Sequence, residues 1–77
     1  MSNLKLKQKL AKIESIQGSQ IKTEMEQFID GQYYGTSCEN RYWYFLGASE
    51  TLLRTRNISE DDYYEIVKVL DMAKEGA

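Results

Sequence analysis

"TSCENRYWYFLGASE", residues 36–50, decides how the rest of the chain is read. Thr36 and Glu39 fit the S/T-x-x-E capping box, in which a hydroxyl and a carboxylate satisfy amides at a helix start. The spacing therefore predicts a helix over 37–55. Four aromatic side chains follow in a row, Tyr42 to Phe45. At about 100° per residue they point to all sides of that helix. Tyr42, Phe45, Leu46, Ser49, Leu52 and Leu53 share one side and make a core face. Trp43 falls about a third of a turn away, beside Gly47, Glu50 and Arg54. Tyr44 points nearly opposite the core, beside Ala48 and Thr51. A helix built this way buries some of its rings and presents others.

Downstream, Ser59 reads as an N-cap, with Glu60, Asp61 and Asp62 in the positive first turn. Ile58 and Tyr63 are spaced for a hydrophobic staple. Asn57 is the expected left-handed terminator of the preceding helix. A fourth helix is predicted over 59–74, with a core face of Tyr63, Ile66, Val67, Leu70 and Ala73, and with Tyr64 and Met72 off it.

Upstream, Leu6, Leu10, Ile13 and Ile16 recur at helical spacing over 3–17, with Asn3 as the candidate N-cap. Gly18 and Ser19 read as a stop and a restart. A glycine inside a helix costs only about 1 kcal/mol, so one long bent helix is the alternative. The second segment covers 20–32, with Ile21, Met25, Phe28, Ile29 and Gln32 on one side. Asp30-Gly31 is one terminator and Gly35 a stronger one. A hairpin turning at Asp30-Gly31 is a competing reading, but its flanks are short and do not alternate. The fold class expected is all-α: a bundle of three to four helices, the third and fourth forming an antiparallel hairpin.

With 77 residues the chain is one domain at most. So small a core supplies a few kcal/mol of net stability. Cys38 is the single cysteine and there is no histidine, which excludes an intrachain disulfide and a Cys/His zinc site. Good helix packing and self-association remain as sources of stability, so a homo-oligomer is expected. One unpaired thiol, no apolar leader at the N-terminus and no run of roughly 20 apolar residues point to a cytoplasmic protein with no membrane role.

Charge is unevenly spread. Residues 1–13 carry Lys5, Lys7, Lys9 and Lys12 and no acid, whereas all 12 acidic residues lie beyond them. Phosphate contact needs clustered positive charge, so only the first helix could present a nucleic-acid surface. Its lysines also suit a solvated face, an anionic membrane or the acidic helices of this same chain. Glu60-Asp61-Asp62 lacks the D-x-D-x-D-G spacing of a calcium loop and is explained as capping. Cys38 near a helix start has no histidine to act as a base, which argues against a cysteine-nucleophile enzyme. No catalytic residue, cofactor or metal is expected.

The rings carry the functional reading. Tyr42, Phe45 and Tyr63 fit a core. Trp43, Tyr44 and Tyr64 are hard for a small monomer to hide, and Tyr33 and Tyr34 join them if they sit in a loop. Tyrosine and tryptophan are enriched at interface hot spots, and Gly47 with Ala48 would let another helix approach closely. The alternatives are that the first helix covers these rings, or that they stack on nucleic-acid bases. For base stacking the nearby cations are Arg41, Arg54 and Arg56.

"LLRTRNISEDDYYEIVKVL", residues 52–70, resembles a helical hairpin of many small bacterial and phage proteins, in which a left-handed residue ends one helix and I-[ST]-E-E-[EQ]-[YF] begins the next. The short C-terminal (SHOCT) oligomerisation domain is similar. Asn57 stands where that pattern has glycine, and Asp61 and Asp62 where it has glutamate. The whole chain, short, acidic, tyrosine-rich and without proline, looks like accessory proteins of Gram-positive phages and mobile elements. That resemblance implies binding to a host protein, such as a defence or polymerase component, and its inhibition. The reading is thus a protein–protein interaction module. The alternative is a nucleic-acid-associated regulator using Lys5, Lys7, Lys9 and Lys12.

Overall fold

A computed structural model describes residues 2–76, and these contain four α-helices, a short 3₁₀ turn and no strand. The helices are α1 (Asn3–Ala11), α2 (Gln20–Ile29), α3 (Cys38–Arg54) and α4 (Glu60–Glu75), with the 3₁₀ turn at Glu14–Ile16. The hairpin read at Asp30-Gly31 does not form.

α1 begins at Asn3, the first residue of the expected range, but it is capped one residue earlier and ends six residues sooner than its periodicity suggests. Ser2, not Asn3, is the N-cap, and its Oγ accepts from the Lys5 amide at 3.3 Å. At the other end Ile13 turns extended. The Gln17 side chain then donates to the carbonyls of Leu10 and Ile13, both at 2.9 Å, satisfying acceptors the helix end leaves open. This break lets Ile13 and Ile16 both reach the core while the chain reverses. Gly18, in the left-handed region (φ +75), completes the reversal, and Ser19 caps α2 by accepting from the Lys22 amide. Helices α1 and α2 are therefore separate.

α2 stops at Ile29, not at Gln32. Gly31 (φ +82) follows the C-cap Asp30, and the Gln32 amide reaches back to the Gln27 carbonyl at 2.9 Å. This is a Schellman ending, so Asp30-Gly31 and not Gly35 is the terminator. Gln32 consequently leaves the apolar face and is exposed.

α3 begins at Cys38 with Ser37 as its cap, in place of the Thr36 expected. Ser37 Oγ accepts from the Asn40 amide at 3.0 Å, and Thr36 instead accepts from the Asn40 side chain. Two hydroxyls compete at this start, and the one closer to the helix wins. α3 ends in a second Schellman motif. Asn57 donates to the Leu52 carbonyl at 2.8 Å and Arg56 to that of Leu53. That geometry places Arg56 (φ +61), not Asn57, in the left-handed region.

The core draws on every helix: Leu6 and Leu10; Ile13 and Ile16; Met25, Phe28 and Ile29; Tyr42 and Phe45; Ile58; Ile66, Val69 and Leu70. α4 packs against α1, α2 and α3, while α3 packs on α4 and α2. A helix with neighbours on three sides buries a wider arc than one stripe. Hence Val69 is fully buried and Met72 packs against the core, although both fall outside the face expected for α4. Ser49 is fully buried too, its Oγ donating to the Phe45 carbonyl at 2.8 Å.

Candidate functional site

α3 and α4 pack closely through Tyr42. Its hydroxyl donates to the Asp71 carboxylate, and Lys74 sits 4.5 Å from the ring centroid. The Asp71 carboxylate that accepts this proton, and then burial, push the Tyr42 hydroxyl up to about 12. Tyr63 is also raised, first by burial and then by nearby Glu50.

With Tyr42 and Phe45 turned inward, the helix period forces Trp43 and Tyr44 out. They are 58% and 49% exposed, and Tyr64 on α4 is 60% exposed. α1 does not cover them, because it lies on α4 and α2. Each of these rings meets its neighbour in the chain. Trp43 meets Tyr42 edge-on at 5.4 Å, and Tyr64 meets Tyr63 at 5.6 Å. Tyr44 lies 5.1 Å from Phe45, with the Arg41 guanidinium 4.6 Å from its centroid. Arg41 is itself held 3.4 Å from Glu24 of α2, although its Nε is buried without a hydrogen-bond partner.

The loop between α2 and α3 separates the remaining two tyrosines. Tyr34, left-handed at φ +50 and followed by Gly35 at φ +80, is 65% exposed. Tyr33 turns inward, 5.7 Å from Phe28, and its hydroxyl is raised chiefly by the Cys38 thiol beside it. Tyr33 therefore stands apart from the exposed rings. It lines a cleft of about 220 Å³ with Leu6, Ile29 and Met72. That falls short of the ~300 Å³ at which ligand pockets begin.

The three lysines of α1 and its C-cap Lys12 do not act alike. Lys7 is committed to Asp30 of the α2 C-cap at 2.6 Å. Lys5, Lys9 and Lys12 make no ion pair among the described residues, and they line one shallow groove with Gln8. Leu4, 66% exposed, is an outward apolar residue at the start of α1 that the sequence reading did not single out. Its position off the Leu6–Leu10 stripe was the available sign.

Among the described residues no group of three or more Cys, Asp or Glu side chains is placed to hold a metal ion. Among the described residues no helix is long and apolar enough to cross a membrane. The fold and the site define a small all-helical bundle whose third helix carries an outward aromatic face. No protein-family model matches the chain, and comparison with curated proteins and with solved structures returns no match either.

Proposed function

We propose that this protein is a non-enzymatic protein–protein interaction module whose docking surface is built on α3 and extended by α4 and the α2–α3 loop. The observation that carries the reading is the outward pair Trp43 and Tyr44. Tyr64 and Tyr34 extend the surface, and Tyr33 supports the loop from inside. Exposed aromatic area of this kind marks interaction sites, and Trp and Tyr dominate hot spots.

α3 and α4 act as an antiparallel hairpin in this reading. The start of α3 meets the far half of α4 through Tyr42 and Asp71, and Glu50 further along α3 acts on Tyr63 near the start of α4. The domain works in the cytoplasm, as a homo-oligomer that also engages a larger protein. Its looks suggest a phage or mobile-element factor that binds and inhibits a host protein, such as a defence or polymerase component. The test is affinity capture from a Gram-positive host lysate with wild type beside Trp43→Ala. A partner kept by wild type and lost by the variant is expected. Equal capture by both removes Trp43 from the contact.

A second reading rests on the Lys5–Lys9–Lys12 groove, which could follow a phosphate backbone. Three phosphate contacts give a log–log salt slope of about −2 to −3. Replacing Lys5 and Lys9 should then reduce it by about two. Salt-independent or undetectable binding to DNA and RNA ends this alternative.

A further inference from the structure

We infer that the outer face of α3 pairs with the same face of a second copy, the two helices antiparallel, each Tyr44 ring seated over Gly47 of the other copy. This deepens the docking reading above and rests on it.

The face is Asn40, Tyr44, Gly47, Ala48, Thr51 and Thr55, none of them charged in a chain that is 29% charged, with Arg41 at its edge, 4.6 Å from the Tyr44 ring and paired with Glu24. Its polar groups are already engaged at home. Thr51 Oγ1 donates to the Gly47 carbonyl at 3.0 Å, Thr55 Oγ1 to the Thr51 carbonyl at 2.8 Å, and Asn40 Nδ2 to Thr36 at 3.0 Å. The threonine methyls therefore face outward, and the exception is the Tyr44 hydroxyl, which has no partner at home and must stay at the wet rim of the contact when the ring seats. At Gly47 nothing lies within 4 Å of where a Cβ would stand, so the helix surface has an open notch beside the Tyr44 ring.

A second copy is the occupant that fits. Ring and notch lie one turn apart on the same chain, so a two-fold axis puts each ring into the other's notch. Parallel pairing would set ring on ring and notch on notch. The antiparallel arrangement also opposes the two helix dipoles. The face spans about 22 Å, so two copies bury on the order of 1,000 Å², which is the threshold for a specific but weak dimer.

Sedimentation equilibrium tests this with wild type, Gly47→Glu and Tyr44→Ala. Wild type should dimerise with a midpoint of roughly 10–100 µM. Gly47→Glu has open space and an ordinary helical backbone, so it keeps its helical signal and its melting temperature while the midpoint rises tenfold or more. Tyr44→Ala should weaken pairing in the same direction. In a Cys38→Ala background, Asn40→Cys with Thr51→Cys should give a covalent dimer on mild oxidation, because these positions share the proposed register. Neither single cysteine should do so. A wild type monomeric at about 500 µM, or a Gly47→Glu variant that dimerises like wild type, overturns the pairing. A monomer that still binds a host protein through Trp43 overturns the pairing and spares the docking reading. A dimer that captures no host protein does the reverse.

Discussion

Two side chains show how single residues set the stability of this molecule. Tyr42 keeps its proton because Asp71 accepts it in a half-buried place. The folded-state value is raised above the unfolded one near 10, so its contribution is fully present below pH 10 and is lost as pH rises through about 12. Chemical denaturation at pH 8, 10 and 12 should show stability falling across that window. Tyr42→Phe should lower stability by about 1–2 kcal/mol at pH 8 and flatten the alkaline loss. Arg56 has the opposite character. It holds a left-handed backbone (φ +61) that L side chains resist. Arg56→Gly should raise the denaturation midpoint, by about 0.5–1 kcal/mol once the flexibility of glycine is deducted.

At the scale of elements, helix starts were easier to read than helix ends. Ser59 was legible because no rival hydroxyl stands beside it, and it accepts from the Asp62 amide at 3.1 Å. Ser59→Ala should cost about 1 kcal/mol in thermal or chemical denaturation. Thr36 and Ser37 are adjacent rivals, and the capping-box pattern alone cannot rank them. The end of α1 was not legible at all. Leu6, Leu10, Ile13 and Ile16 keep helical spacing through a stretch where the chain is no longer α-helical. Tertiary demand for both isoleucines overrides the local pattern, and Gln17 rescues the carbonyls that are set free. The inward and outward sides of α3 were readable from period alone, because its neighbours leave one whole side uncovered. For α4, surrounded by three helices, the same exercise undercounted the buried arc.

At the scale of the whole molecule, the small interior and the many rings divide the aromatic residues into two populations. Phe28 and Phe45 meet edge-to-face at 5.5 Å inside. Phe45→Ala should therefore cost about 3–5 kcal/mol. Trp43→Ala and Tyr44→Ala should each cost less than about 1 kcal/mol by the same urea titration, since neither fills a cavity. A loss of about 3 kcal/mol or more at Trp43 would mean that the indole holds the bundle together and that the docking reading is wrong. The candidate site was legible as a list of rings but not as a surface. The inward turn of Tyr33 depends on the α2–α3 loop, and the commitment of Lys7 to Asp30 depends on how α1 meets the end of α2.

The central place of α4 also has a meaning for synthesis. It is the last of the four helices to leave a ribosome, yet α1, α2 and α3 all rest on it. The start of α1 must wait about 60 residues for α4, a delay of roughly 3–12 s at ordinary translation speeds. Until then the nascent chain displays its oily faces to chaperones and proteases. A message cut short before α4 would yield a polypeptide fit only for disposal.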